Sequence, residues 1–212
     1  MGVSGSGKTT IGKRLARRLG FEFADADAYH PQANIDKMAA GVPLTDADRR
    51  PWLAALRALI EARAAGGRSL VLGCSALKRS YREALAGERA ADGGRAGGGR
   101  EPRVTFVYLR ADYDTILERM ERRQGHYMKA GMLESQFRDL EEPQDAVTVD
   151  VTGSVAAAVR QALSGLAGRG VTPPAPGRSD AEPRRRDGAP PRGGAPPQRG
   201  GHGGDDHEEE PT

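Results

Sequence analysis

Residues Gly2-Val3-Ser4-Gly5-Ser6-Gly7-Lys8-Thr9 satisfy the Walker A pattern G-x-x-x-x-G-K-[ST] at every fixed position. A helical period comes directly after, with Ile11, Leu15, Ala16 and Leu19 on one stripe and basic residues between them. A glycine-rich turn that opens straight into a helix restricts the fold more than any other feature of the chain. The glycines let the backbone curl its N–H groups around a phosphate, and the helix N-terminus adds partial positive charge and unpaired donors. The loop therefore assigns Gly2, Val3, Ser4, Gly5, Ser6, Gly7, Lys8, Thr9 and Thr10 to ATP binding. Lys8 is expected to contact the β- and γ-phosphates and Thr9 to ligate Mg2+. A flexible Gly/Ser turn before an ordinary helix is the bland alternative, and it accounts for neither the lysine nor the hydroxyl at this spacing.

The rest of the chain alternates strand and helix signals. Residues 21–25 read as a short strand, and residues 69–74 and 104–109 are continuous apolar runs of the kind buried on both faces of a parallel sheet. Residues 146–151 are a weaker third case. Helices are expected at 31–39, from Thr45 to about Ala65, and at 81–85, 113–123, 133–140 and 154–166. Thr45 with Asp48 three residues later resembles a capping box, and Ser154 can cap the last helix. The alternation predicts an α/β three-layer sandwich around a mostly parallel sheet.

Composition divides the 212 residues unevenly. Residues 87–103 are mostly Gly, Arg and Ala and bury little apolar surface, which suits a loop insertion. From 168 to 212, Pro, Gly and charged residues displace nearly every large apolar side chain, the signature of a disordered tail; one domain over 1–167 remains. His202 and His207 fall in that tail. The 32 basic and 29 acidic residues form no clustered basic face, so no nucleic-acid partner is expected. No apolar run approaches the ~20 residues of a membrane helix. With the single Cys74, this points to a cytoplasmic protein without membrane contact.

A Walker loop serves many reactions, so the choice among them rests on the residues beyond it. Asp25 and Asp27 lie two residues apart, and a strand through both would put them on one face at the sheet's C-terminal edge. Asp25 then suits Mg2+ binding through water, and Asp27 suits orientation of an acceptor hydroxyl and acceptance of its proton. Capping of the adjoining turn is the competing role for both. Arg119, Arg122 and Arg123 cluster with His126 around Gly125 in a lid region over 119–137. Arginine there can neutralise charge on a transferring phosphoryl group, the role expected of Arg119 and Arg123, whereas Arg122 reads as a solvated helix face. Trp52 and Cys74 read as core packing. No Asn-Lys-x-Asp specificity motif occurs, and a small-molecule kinase fits best.

Several separate stretches resemble the gluconokinase family. They are the Met1–Thr10 loop, Asp25-Ala26-Asp27 with His30-Pro31 and 34–38, the segment 41–52, Cys74-Ser75-Ala76-Leu77-Lys78 with Tyr81-Arg82, Gly125-His126-Tyr127-Met128, and 132–143. The resemblance implies ATP-dependent phosphorylation of D-gluconate at its 6-hydroxyl, on a fold similar to adenylate and shikimate kinases. It adds His30, Arg49, Lys78, Arg82 and His126 to Asp27 as substrate residues and points to a homodimer. A polyol carboxylate requires hydrogen-bonding side chains and at least one cation, which these residues supply. The rival expectations are a sister kinase such as a shikimate kinase, a nucleotide-binding protein without turnover, and a nucleic-acid-associated protein acting through the Arg/Gly-rich tail.

One departure from the resemblance stands out. A buried strand of about five apolar residues normally leads into such a loop, whereas here Met1 already belongs to it. In the strand order 2-3-1-4-5 that the resemblance implies, this strand is central, and the runs at 69 and 104 would lack their shared neighbour. Buried unpaired backbone groups cost about 1–3 kcal/mol each. The expectation is that the true start lies upstream and that this chain is truncated at its N-terminus.

Overall fold

The computed structural model describes residues 1–87, 103–122 and 130–173. Helix α1 spans Lys8–Leu19, as its periodicity predicts, and ends where Gly20 adopts φ 69° and donates its N–H to Ala16. Strand β1 (Glu22–Asp25) is next, then a 3-10 turn over Ala26–Tyr29 and helix α2 (Gln32–Ala39). Helix α3 (Asp46–Ala65) opens with the full reciprocal capping box between Thr45 and Asp48, so aspartate closes the box as well as the usual glutamate. Strand β2 (Leu70–Gly73) and helix α4 (Arg79–Ala86) come next. Strand β3 (Val107–Arg110) leads to α5 (Tyr113–Glu121), and α6 (Ala130–Asp139) precedes strand β4 (Val147–Asp150). Helix α7 (Val155–Ala167) carries its predicted cap, Ser154 accepting from the Ala157 N–H.

Both ladders are parallel, and they are separate. Strand β1 pairs β2 with Glu22 opposite Leu70, and β3 pairs β4 with Val107 opposite Val147. The described residues thus form two two-stranded sheets, with β2 and β3 not bonded to each other. Each strand is shorter than the apolar run that announces it.

Apolar clusters join these pairs to helices. Ile11 and Leu15 of α1 pack with Leu109, Val147 and Val149 and with Ala158, Val159 and Ala162 of α7. Trp52, Leu53 and Leu56 of α3 meet Tyr81 and Leu85 of α4 around Ala26 and Cys74. A third cluster brings Val3, Leu77, Ile116 and Leu133 together under the phosphate-binding loop. The result is the predicted α/β class, with the loop and the C-terminal ends of the strands at one edge.

Candidate functional site

The loop takes a backbone course open to glycine. Gly2 has φ 140°, and a Cβ on it would lie 2.8 Å from the Leu109 carbonyl oxygen. Gly5 has φ 81° and would press a Cβ to 3.0 Å from Ile116 and 3.1 Å from Met120. Gly7 caps α1 in a left-handed conformation with no side-chain cap, leaving the first N–H groups of the helix to a ligand. Lys8 folds back across the loop, its Nζ donating to the Val3 carbonyl at 2.9 Å. Burial pushes the Lys8 ammonium below its ordinary pKa, opposed by Asp27, Cys74 and Asp25. From the far side, Gln136 of α6 clasps the loop: its Oε1 accepts from the Ser4 N–H at 2.7 Å and its Nε2 donates to the Ser4 hydroxyl at 3.0 Å.

Asp25 closes β1 beside this loop. Its Oδ2 accepts from the Thr9 hydroxyl at 2.8 Å, and its Oδ1 accepts from the Asp27 N–H at 3.3 Å. This one carboxylate both caps the turn and reaches the loop's hydroxyl. Hydroxyl and carboxylate oxygens in contact at the loop's exposed mouth are the hard donors that suit Mg2+ alongside nucleotide phosphates. Thr10, next along the helix, is exposed.

Asp27 requires a correction. The expected strand through both aspartates ends at Asp25, and Asp27 lies in the 3-10 turn, so strand alternation does not explain their common placement. The turn leaves the Asp27 charge close enough to Lys8 and His30 to oppose the desolvation that lowers the pKa of both. His30 stacks on Trp52 with ring centroids 4.5 Å apart and planes 9° from parallel. Desolvation holds His30 below its ordinary pKa, with Arg49 adding to the effect and Asp27 opposing it, so the imidazole is neutral at pH 7. Trp52 is core, as expected, and its Nε1 also donates to the Ala26 carbonyl at 2.8 Å, holding the 3-10 turn against α3.

A cationic group faces Asp46. Lys78 donates to both carboxylate oxygens of Asp46 at 2.9 and 3.2 Å, and the Tyr81 hydroxyl bonds the same carboxylate. The Arg49 guanidinium reaches the Leu44 carbonyl at 2.6 Å and the Tyr81 hydroxyl at 3.2 Å. Hydrogen bonds from Tyr81 and Lys78 keep Asp46 below the usual carboxylate range, and the bond to Asp46 raises Lys78. Arg82 is buried, its Nη1 on the Ala76 and Leu77 carbonyls at 3.2 and 2.8 Å. Those bonds brace a turn in which Ala76 has φ 43°, a left-handed conformation that costs a non-glycine residue about 1–2 kcal/mol.

Arg119 donates to the Val151 and Thr152 carbonyls after β4. Arg122 pairs with Glu118 at 2.6 Å on an exposed helix face, as its solvated reading predicts. Arg123 and His126 lie outside the described residues. Sequence reasoning gave no role to Asp46, Tyr81, Gln136 or Ala76. The only signal was their presence inside the resembling stretches.

Comparison with known proteins bears on this geometry. A family model described as an AAA domain matches residues 1–145. The gluconokinase of Gluconobacter oxydans is 46% identical over 145 residues, covering 68% of this chain and 75% of that one. The thermosensitive gluconokinase of Escherichia coli is 43% identical over 165 residues, 76% of this chain and 82% of that one. The chain belongs to the gluconokinase family. A crystal structure of a gluconokinase from Sinorhizobium meliloti superposes with a TM-score of 0.66 at 44% identity, covering 80% of this chain and 90% of that one. An APS kinase from Mycobacterium tuberculosis, with a TM-score of 0.55 at 18% identity over 79% of this chain and 94% of that one, shares the fold alone. Family membership accounts for the Walker loop and the α/β class together.

Proposed function

We propose that the chain transfers the γ-phosphoryl group of ATP to the 6-hydroxyl of D-gluconate, yielding 6-phospho-D-gluconate and ADP. The observation that carries this reading is the Thr9–Asp25 bond, which ties the phosphate-binding loop to the strand end from which Asp27 departs. Membership among gluconokinases supports the acceptor.

The loop N–H groups and Lys8 bind the phosphates, and Asp27 orients the acceptor hydroxyl. The hydroxyl oxygen bonds the γ-phosphorus as the bond to the bridging oxygen breaks, and Asp27 takes the hydroxyl proton. Thr9 and Asp25 would hold Mg2+, which would supply charge neutralisation on the phosphates when bound. Arg119 and Arg123 stabilise the transferring group, Arg119 after leaving the 151–152 carbonyls. His30, Arg49, Lys78 and His126 form the acceptor set, with Arg82 buried behind it and bracing the turn at Ala76 and Leu77. A homodimer and a cytoplasmic location complete the proposal, with sedimentation velocity and fractionation as their checks. Among the described residues no helix is long and apolar enough to cross a membrane.

The test is ADP release from Mg-ATP with gluconate, shikimate, nucleoside monophosphates or no acceptor, with Asp27→Asn as control. Gluconate-dependent release that Asp27→Asn abolishes supports the reading. Release with another acceptor alone would make the chain a sister kinase. Among the described residues β2 and β3 are not bonded to each other, which favours a second reading, nucleotide binding without turnover; ATP binding with no release for any acceptor would establish it.

A further inference from the structure

The first turn of α3 carries two carboxylates with unequal duties. Asp48 completes the capping box, accepting from the Thr45 N–H and hydroxyl at 2.9 and 2.8 Å, and it also takes Lys37 at 2.6 Å. Asp46 has no part in that cap. Among the described residues its carboxylate meets three side chains: Lys78 at 2.9 and 3.2 Å, the Tyr81 hydroxyl, and the Arg49 guanidinium at 3.9 Å.

The three donors are fixed, whereas the carboxylate they surround is not. The side chains of Lys78 and Arg49 are 26% and 24% exposed, and that of Asp46 is 61% exposed. Tyr81 belongs to the core cluster of Trp52 and Leu56. The Lys78 Nζ and the Arg49 Cζ each lie 5.6 Å from its ring centroid. Arg49 is tied to the Leu44 carbonyl and donates to the Tyr81 hydroxyl, whose own proton goes to Asp46. Two half-covered cations and a phenol that converge on one point form a receptor for a single carboxylate, and leaving it empty would strand the cations in a partly dry setting. Asp46 can turn out of it into water at little cost, because solvent already covers most of its side chain.

The receptor also borders the reacting end of the site. Arg49 acts on His30 to lower its pKa and Asp27 acts to raise it, so both charges lie near the one imidazole. An acceptor such as gluconate carries its reacting hydroxyl and its carboxylate at opposite ends of one carbon chain.

We propose that Asp46 holds the place of the acceptor's carboxylate on Lys78, Arg49 and Tyr81, and that the acceptor binds by displacing it. With gluconate as the acceptor, the reading proposed above, the exchange swaps one carboxylate for another and leaves the charge of the cluster unchanged. A ligand therefore gains only through its further contacts. A small carboxylate brings none and does not displace Asp46, and a neutral polyol has no anion to exchange.

The experiment compares gluconate kinetics at saturating Mg-ATP for the full chain, Asp46→Asn and Asp46→Glu, with acetate as a competing small carboxylate. Asp46→Asn is expected to lower the KM for gluconate about 3- to 20-fold at pH 7, the change falling on KM rather than kcat. Acetate should then compete with gluconate in Asp46→Asn alone, and Asp46→Glu, which keeps a carboxylate, should stay close to the parent. In the parent itself, saturating gluconate should move the 13C carboxyl resonance of Asp46 to that of a solvated aspartate. A KM that rises or stays the same in Asp46→Asn, at a melting temperature within about 3 °C of the parent's, would overturn the proposal and leave Asp46 a partner that orients Lys78. An Asp46 resonance that gluconate leaves in place would overturn it whatever the variants do. Absence of gluconate-dependent ADP release from the parent would sink the acceptor reading and this proposal together, whereas release without the KM change sinks the proposal alone.

Discussion

Replacing Arg82 by methionine separates bracing from substrate binding. Arg82 is buried and its Nη1 satisfies the carbonyls of Ala76 and Leu77, themselves 1% and 7% exposed. Methionine keeps much of the aliphatic volume and removes both donors. The Ala76 carbonyl then loses its charged partner, whereas the Leu77 carbonyl keeps the Glu141 N–H at 3.1 Å, so the loss is about 1–3 kcal/mol. For a domain of this size that lowers the melting temperature by about 2–12 °C. Ala76 offers a second handle, because its φ of 43° is unfavourable for alanine and open to glycine. Glycine there gains about 1 kcal/mol locally and returns most of it through unfolded-state entropy, so Ala76→Gly alone is expected to be nearly neutral. In the Arg82→Met background, where the brace is gone, the same change should recover about 1 kcal/mol, and the double-mutant cycle reads that coupling. Urea denaturation measures each variant, with an unchanged slope required. A midpoint for Arg82→Met within about 0.5 kcal/mol of the parent, with a raised KM for gluconate, would refute the brace and make Arg82 a substrate ligand.

Other contacts carry expectations of their own. Burial pushes the Cys74 thiol up to about 11 from its ordinary value near 9. The folded state therefore holds its proton longer than the unfolded one. The Cys74 contribution to stability should be level below pH 9 and fall by about 3 kcal/mol as pH rises to 11, a difference between parent and Cys74→Ala that the comparison of the two reads. Because Asp46 raises the pKa of Lys78, Asp46→Asn should move the alkaline limb of kcat/KM for gluconate to lower pH; an unmoved limb would separate Lys78 from the acceptor. Gln136→Met removes both bonds to Ser4 and should raise the KM for ATP by about 5- to 30-fold with little change in that for gluconate. Thr9→Val breaks the link to Asp25, and a raised Mg2+ requirement in the ADP assay is expected, against an unchanged requirement if Thr9 only caps the helix.

Sequence alone was sufficient for whatever is local. The spacing of Ile11, Leu15 and Leu19 specified α1, the Thr45 and Asp48 pair specified the start of α3, and the Walker loop announced its own conformation, because each depends on residues within a turn or two. The apolar runs located the strands. The expected strand through Asp25 and Asp27 stops at Asp25, because Asp27 belongs to a 3-10 turn that strand alternation does not foresee.

Only the tertiary structure decided which distant groups meet. Gln136 grips Ser4 across 132 residues, Asp46 gathers Lys78 and Tyr81 across 32 and 35, and Arg82 turns inward to the Ala76 and Leu77 carbonyls. The Met1 amino group reaches the Val107 carbonyl of β3 across 106 residues. Periodicity and capping report free energy exchanged between neighbours along the chain. Contacts such as these depend on how the helices and strand pairs pack, a property of the folded whole that no short window of sequence contains.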